Sequence, residues 1–339
     1  MEKKDSLPVL GILMGDPTGV GPEIVTKLAA ADFYRDVCRP LFIGDARVFG
    51  AGLDTFGGKA PYYAVSDVNE ADWEKGFPVL DTKDQDPARI TYGAPDPYCG
   101  KAGIEAFRLA CRLCREGKIE GFAFGPFHKG AMIDGGMDVE SEHHLIAREL
   151  GAVSFGETNF VDGLMTFRCT SHIPLKDVSA ALSKELILSK IEMGRSRARS
   201  MGIKEPRIGV AALNPHAGEG GTCGTEEIDI IEPAIREACE RGWNVKGPVP
   251  SDMLFYRAFV RREFDVAIVM YHDQGQIATK LHGFEGGITI SSGQPYPVVT
   301  CGHGTAYGGA GQGRASEKSM GNAVKMAARM AISKRKGLF

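Results

Sequence analysis

The chain has 339 residues, 43% of them hydrophobic and 24% charged, which is enough apolar side chain for one large α/β unit or for two domains sharing a cleft. Lys and Arg number 40 against 43 Asp and Glu, a net charge of −3, and no basic tract argues for a nucleic-acid partner; the tail Lys334-Arg335-Lys336 reads as a solvated terminus. No apolar run approaches membrane-spanning length, and the stretch Leu7–Met14 is too short for a signal segment, so a cytoplasmic protein with no membrane partner is expected.

Strand-like and helix-like segments alternate, which predicts α/β layers around a largely parallel sheet. Val9–Met14 reads as a first strand, Gly15-Asp16-Pro17 as a turn, and Gly21-Pro22-Glu23 as the start of a helix through Ala31, with proline where no intrahelical bond is lost. Pro40–Ile43 is a buried strand, 50–98 short strands and long loops, 101–116 a helix, 120–124 a strand and 142–150 a helix. Cys111 and Cys114 form a C-x-x-C inside the helical run Ala102–Arg115. With no second pair, they read as buried small side chains rather than as a redox or zinc site. Phe160–Phe167 and Arg168–His172 look like adjoining strands. Leu175–Met201 is helical with a break near Ser183, Arg207–Leu213 a strand, Glu226–Arg241 a helix and Asp265–Met270 a strand. Residues 286–300 supply further strands, and Ser316–Lys334 is a closing amphipathic helix.

Three histidines, His172, His216 and His272, each follow an apolar strand. Ligands of open α/β sheets bind beyond the carboxyl ends of strands, so three imidazoles distant in sequence can converge there. One such histidine alone reads as structural; together they suit a divalent metal. Zinc comes first, with cobalt, nickel, manganese or magnesium as alternatives, and such a site leaves positions for a substrate hydroxyl and carboxylate. Two glycine-rich clusters stand apart from these. Gly302, His303, Gly304, Thr305, Ala306 and Gly311 lie in a loop over 302–313 whose amides could approach a nucleotide, though the spacing is not the Rossmann fingerprint. Gly15–Glu23 places a glycine-rich turn at a helix N-terminus, where an anion or cofactor can sit. For both, a plain connecting loop is the other reading. Lys129 and Lys280 gain interest from their neighbours His128 and His272, and Asp252 reads either as an acid or base or as a helix cap.

Taken together, MGDPTGVGPEI at 14–24, GPFHKG at 125–130, TSHIPLKDV at 170–178, LNPHAGEGG at 213–221, GTEEID at 224–229, MYHDQG at 270–275 and HGTAYGGAGQGRAS at 303–316 make the chain resemble the 4-hydroxythreonine-4-phosphate dehydrogenase (PdxA) family over nearly its whole length. The resemblance implies an isocitrate/isopropylmalate dehydrogenase-like fold: two α/β/α domains with a central cleft. The first would be 1–125 plus 290–339, carrying the cofactor loop. The second would be 126–289, carrying the metal ligands and the dimer interface. It also implies NAD or NADP as cofactor, and oxidation of a secondary alcohol to a 3-oxo acid that decarboxylates. His172, His216 and His272 become the metal ligands of a homodimer with shared active site, Lys280 contacts substrate, Asp252 and Asp273 lie near metal and substrate, and Lys129 lines the same region.

The chain departs from that pattern where the family contacts its substrate. A His-Thr pair is replaced by Glu142 and His143, an asparagine by Thr289, and an arginine by Val298. Losing a guanidinium and gaining a carboxylate removes charge-assisted bonds of roughly 1.5–3 kcal/mol each, which makes a phosphate pocket poor. A non-phosphorylated substrate is therefore the alternative, such as the dihydrodiol dicarboxylate of the family's terephthalate branch, which resembles this chain in lacking that arginine. Glu142 and His143 could equally begin a surface helix. An acyl or phosphoryl transferase of the same broad fold, and a non-catalytic binder, are further readings; neither calls for three strand-end histidines.

Overall fold

The computed structural model describes residues 7–153, 155–283 and 285–338. Among them the strands in chain order are β1 (Val9–Leu13), β2 (Arg39–Gly44), β3 (Tyr62–Val65), β4 (Phe77–Asp81), β5 (Phe122–Phe124), β6 (Gly156–Val161), β7 (Leu164–Arg168), β8 (Ile208–Ala211), β9 (Val245–Val249), β10 (Val266–Val269), β11 (Ile288–Ser292) and β12 (Val298–Cys301). Chain contacts divide the molecule into two units. One takes in the described residues up to Glu157 together with Ile288–Ile332, the other Thr158–Gly287 and the described residues beyond Ile332.

In the first unit the strand order is β3-β4-β2-β1-β5-β12-β11. All pairs are parallel except β11 with β12. The inner strands β1, β2, β4, β5 and β12 are almost fully buried and mostly apolar, as parallel strands covered on both faces are, while the edge strand β3 is largely exposed. The helix Pro97–Arg115 begins four residues earlier than its periodicity suggests. Asp96 caps it by accepting from Tyr98 N, and Pro97 takes the first turn. Its inner face sets Phe107 against Phe122, Phe124 and Phe127, and buries Cys111 and Cys114 in the same apolar cluster. A helix over Ala46–Asp54 replaces part of the expected loop region. Its glycines hide it in the sequence, yet Gly52 is required, since a Cβ there would lie 2.9 Å from Pro22 O of the neighbouring helix.

The expected domain boundary at 125/126 is displaced. Met132, Met137, Leu145, Ile146 and Leu150 share the apolar cluster of Phe107, which ties 129–150 to the first unit, and the division falls after Glu157.

The second unit has the order β6-β7-β10-β8-β9, with β6 antiparallel to β7 and the rest parallel. Its first two strands meet at Asp162-Gly163, not after Phe167. Both turn residues have positive φ, 45° and 89°, the Asp-Gly hairpin conformation. One short helix ends at Ala181, and Ser183 caps the next, Lys184–Ser200, by accepting from Leu186 N. The predicted helix 226–241 opens as a π-turn over Glu227–Ile231. Pro233, which has no N–H to donate, stands in the first turn of the α-helix Glu232–Glu240. No helix among the described residues is long and apolar enough to cross a membrane.

Phe107 is fully buried between three aromatic neighbours. Phe107→Ala is expected to cost about 3–5 kcal/mol, read as a lower denaturant midpoint for the first unit, while a loss below 1 kcal/mol would show that this cluster does not carry the unit's core.

Candidate active site

The second unit brings two of the three histidines together. β7 and β10 are parallel neighbours, and pairing continues past their ends through Cys169 N to Val269 O (2.8 Å) and Thr170 N to Met270 O (3.1 Å). The chains diverge only after this, and the His172 and His272 rings lie 5.7 Å apart between centroids. Two imidazoles binding one ion at ~2 Å would hold their rings roughly 5 Å apart, so the spacing fits a shared cation. Asp273 Oδ1 sits 2.7 Å from His272 Nδ1. A carboxylate there fixes the ring and leaves Nε2 as the free donor, the usual arrangement behind a metal-binding histidine.

His216 is presented differently. It begins a run of five residues, His216 to Gly220, in left-handed conformation, with φ of 53°, 55°, 77°, 44° and 66°. Three of these are not glycine, and each such residue costs roughly 1–2 kcal/mol. Strain of this kind persists only where surroundings impose it. Here they do: the buried Glu227 accepts from Leu213 N and Asn214 N, both at 2.8 Å, and from Asn214 Nδ2 at 2.9 Å. Glu226 also accepts from Asn214 Nδ2, at 2.7 Å. A Cβ on Gly218 would stand 2.7 Å from the Glu227 carboxylate, so only glycine fits. His216 itself is exposed, and no group of three or more metal-binding side chains forms among the described residues of one chain.

Asp252 is not a cap. It lies exposed in the first turn of the helix Ser251–Phe259, whose N-cap is Pro250. Asp273 is committed to His272. Lys280 lies on the helix His272–Gly283, so the run between them is helical as expected; eight residues put it ~12 Å along the axis from His272, with its side chain exposed. Gln274, which the sequence reading passed over, ties strand ends together. Its Nε2 donates to Ala212 O and Ser251 Oγ, both at 2.7 Å, and its Oε1 accepts from Met270 N at 2.6 Å.

In the first unit the two glycine clusters form one assembly. Val20 N donates to Thr305 O (3.0 Å), and a Cβ on Gly19 would lie 2.4 Å from that same oxygen. Tyr307 donates its hydroxyl to Asp16 Oδ2 at 3.0 Å, and burial pushes that phenol up to about 12, so it remains a donor. Gly302 N donates to Ser319 Oγ (2.9 Å), His303 Nδ1 lies 3.0 Å from Gly304 O, and Ala306 (φ 48°) and Gly311 (φ 74°) take left-handed turns. His128 caps the helix Lys129–Asp134 through Nδ1, its ring 5.4 Å from Tyr307, which puts the exposed Lys129 beside this loop.

The substrate positions also fall in the first unit. Glu142 and His143 do begin a helix, Glu142–Leu150, but His143 turns inward. It is 5% exposed, faces Phe124, has no partner for Nδ1, and holds Nε2 3.8 Å from Glu157 and 4.0 Å from Glu142. Thr289 is half-buried on β11. Val298 has no exposed surface and packs in the core with Phe122 and Phe124, so no substrate contact forms through that side chain.

The family described as pyridoxal phosphate biosynthetic protein PdxA matches residues 36–327. The D-threonate 4-phosphate dehydrogenase of Cupriavidus necator is 36% identical over 330 residues, covering 96% of this chain and 98% of that protein. A crystal structure of 4-hydroxythreonine-4-phosphate dehydrogenase from Burkholderia phymatum is 35% identical, with a TM-score of 0.79 over 96% of this chain and 98% of the other. A terephthalate 1,2-cis-dihydrodiol dehydrogenase from Burkholderia xenovorans is 26% identical with a TM-score of 0.62, over 95% and 98% of the two chains. With the glycine assembly, the paired strand-end histidines and matches that span nearly the full length, this chain belongs to the PdxA family and is a dehydrogenase acting on a CH–OH group.

Proposed function

We propose that the chain is an NAD(P)- and divalent-metal-dependent dehydrogenase that oxidises the secondary alcohol of a hydroxy acid to a 3-oxo acid, which then loses CO2. The observation that carries this is the pairing of His172 with His272, the latter held by Asp273. When bound, a divalent cation would supply polarisation of the substrate's oxygen atoms, zinc being the first choice for imidazole donors and cobalt, manganese or magnesium the alternatives. His172, His216 and His272 are the residues that would hold it.

The remaining work falls to side chains. Asp252 is the exposed carboxylate proposed to take the hydroxyl proton, as hydride passes to the nicotinamide. The bond to the substrate's carboxylate then breaks, CO2 leaves, and the electron pair left on carbon takes a proton from solvent or an ammonium. Lys280 and Lys129 are the proposed ammonium groups for contact with substrate and for that proton. The dinucleotide is assigned to Gly302–Ala306 and Gly311.

A homodimer is part of the proposal. One chain's described residues gather two imidazoles and not three, so the set would be completed across two copies. Flanking apolar side chains favour such a partner: Leu175 is 70% and Leu281 85% exposed, with Ile173 and Ile277 beside them in sequence. A second reading, a substrate without phosphate, is favoured by the carboxylate of Glu142 and the closed, apolar position of Val298.

The test is NAD reduction on a panel holding 4-phosphohydroxythreonine, D-threonate 4-phosphate and a dihydrodiol dicarboxylate. Turnover of at least one is expected, abolished by a chelator and restored by zinc, cobalt or manganese; no turnover with metal and NAD both bound would overturn the proposal. Preference for a phosphorylated member would remove the second reading. His172→Ala and His272→Ala are each expected to weaken metal binding at least tenfold in competition with a chromophoric chelator. Glu227→Gln puts a donor against Asn214 Nδ2 and should speed amide exchange at Leu213 and Asn214 about tenfold, as losing roughly 1.4 kcal/mol of local stability would. Unchanged exchange would show that Glu227 does not hold the turn.

A further inference from the structure

The helix that carries His272 and Lys280 is held lightly along its length. Of its 12 residues, His272–Gly283, Gly275 and Thr279 are the buried ones, a stripe one residue wide. Ile277 and Leu281 stand 59% and 85% exposed. A helix this short gains little from its own backbone and depends on what holds its ends. Gln274 anchors the first turn, donating to Ala212 O and Ser251 Oγ and accepting from Met270 N.

The far end is held by His282. Its ring lies on that of Phe259, with centroids 3.9 Å apart and planes 14° from parallel. Its Nε2 stands 2.7 Å from Asp162 Oδ2, and a carboxylate can only accept, so the ring donates there. The same oxygen accepts from Arg262 Nη2 at 2.8 Å, and Arg262 Nη1 donates to Asp162 O. The bond from His282, and with it that from Arg262, holds the Asp162 carboxyl below the usual carboxylate range against partial desolvation. Phe259 is 6% exposed at the end of the helix Ser251–Phe259, while Asp162 belongs to the turn between β6 and β7. Three segments distant in sequence therefore end on one imidazole. Asp162 and Arg262 are non-glycine residues with positive φ, 45° and 53°, a conformation that persists where contacts impose it. Gly283 closes the helix directly against β6, since a Cβ there would lie 2.6 Å from Val161 Cγ1.

We propose that His282 is a positioning residue for Lys280, clamping the last turn of the helix so that the ammonium is presented to substrate in one direction. This rests on the reading in which Lys280 contacts substrate. Residues two apart on a helix point about 200° apart, so drawing His282 onto Phe259 turns Lys280 outward, where its side chain is exposed. Beyond Thr279 the last turn has no buried side chain to hold it, and helix ends with few contacts open first. The His272 end has its own anchors in Gln274 and Asp273, so the two ends respond separately.

The test compares the full chain with His282→Ala and with His282→Gln, whose amide nitrogen can still reach Asp162. In hydrogen exchange read by mass spectrometry, His282→Ala should speed exchange at residues 280–283 about tenfold and leave residues 274–276 unchanged. With the best hydroxy acid of the panel it should raise KM about tenfold, with kcat and zinc affinity within about twofold of wild type. His282→Gln should recover most of both losses. Should His282→Ala not fold, Asp162→Gly suits the turn's positive φ, removes the same contact from the other side and should give the same split. Unchanged exchange and KM in both His282→Ala and Asp162→Gly overturn the assignment. So does a parallel loss of kcat and zinc affinity, which marks general support of the helix. Faster exchange at the last turn of a protein that turns over no hydroxy acid would sink the reading of Lys280 and leave the clamp standing; turnover with KM unmoved by either variant would do the reverse.

Discussion

The parallel pairing of β7 with β10 is the constraint from which the proposed chemistry descends. Its register, Met165 opposite Val266 through Arg168 opposite Val269, sets where the two chains leave the sheet. Thr170 reinforces the exit by donating its hydroxyl to Met270 O at 2.8 Å. A slip of one residue would turn every side chain of the strand to the opposite face and carry His172 away from His272. His172 is exposed and His272 half-buried; strand pairing puts the two imidazoles face to face, and Asp273 orients one of them.

The two units solve different problems with different means. The second uses carboxylates to hold an unfavourable backbone, since the left-handed turn at His216 is kept by the buried Glu227 and the half-buried Glu226 acting through Asn214. The first uses close backbone approach. Gly19 lets Thr305 O come in, Tyr307 binds Asp16, and the Glu23–Lys27 pair fixes the far end of the loop. A flexible tether would make neither surface. Both are built so that few conformations remain to be lost when a ligand binds, which is what preorganisation contributes to affinity.

Much of this was legible in the sequence. The strand-helix alternation, the helix Glu142–Leu150, the break at Ser183 and the family motifs all follow from periodicity and from residue types whose chemistry is local. Other features were not. The start at Asp96-Pro97 and the hairpin at Asp162-Gly163 had clear cap and turn signals that the hydrophobic pattern outweighed. The boundary near Glu157 depends on side chains of 129–150 choosing the Phe107 cluster, a tertiary decision. The inward turn of His143, the closure of Val298 in the core, and the roles of Glu227, Gln274 and Glu23 depend on partners tens to hundreds of residues away. Composition and spacing carry no trace of that.

The most direct measurement is the anomalous difference density of crystals equilibrated with zinc or cobalt. The account predicts one peak per chain, ~2.0–2.1 Å from a ring nitrogen of both His172 and His272. Well-ordered rings with no ion shared between them would contradict it.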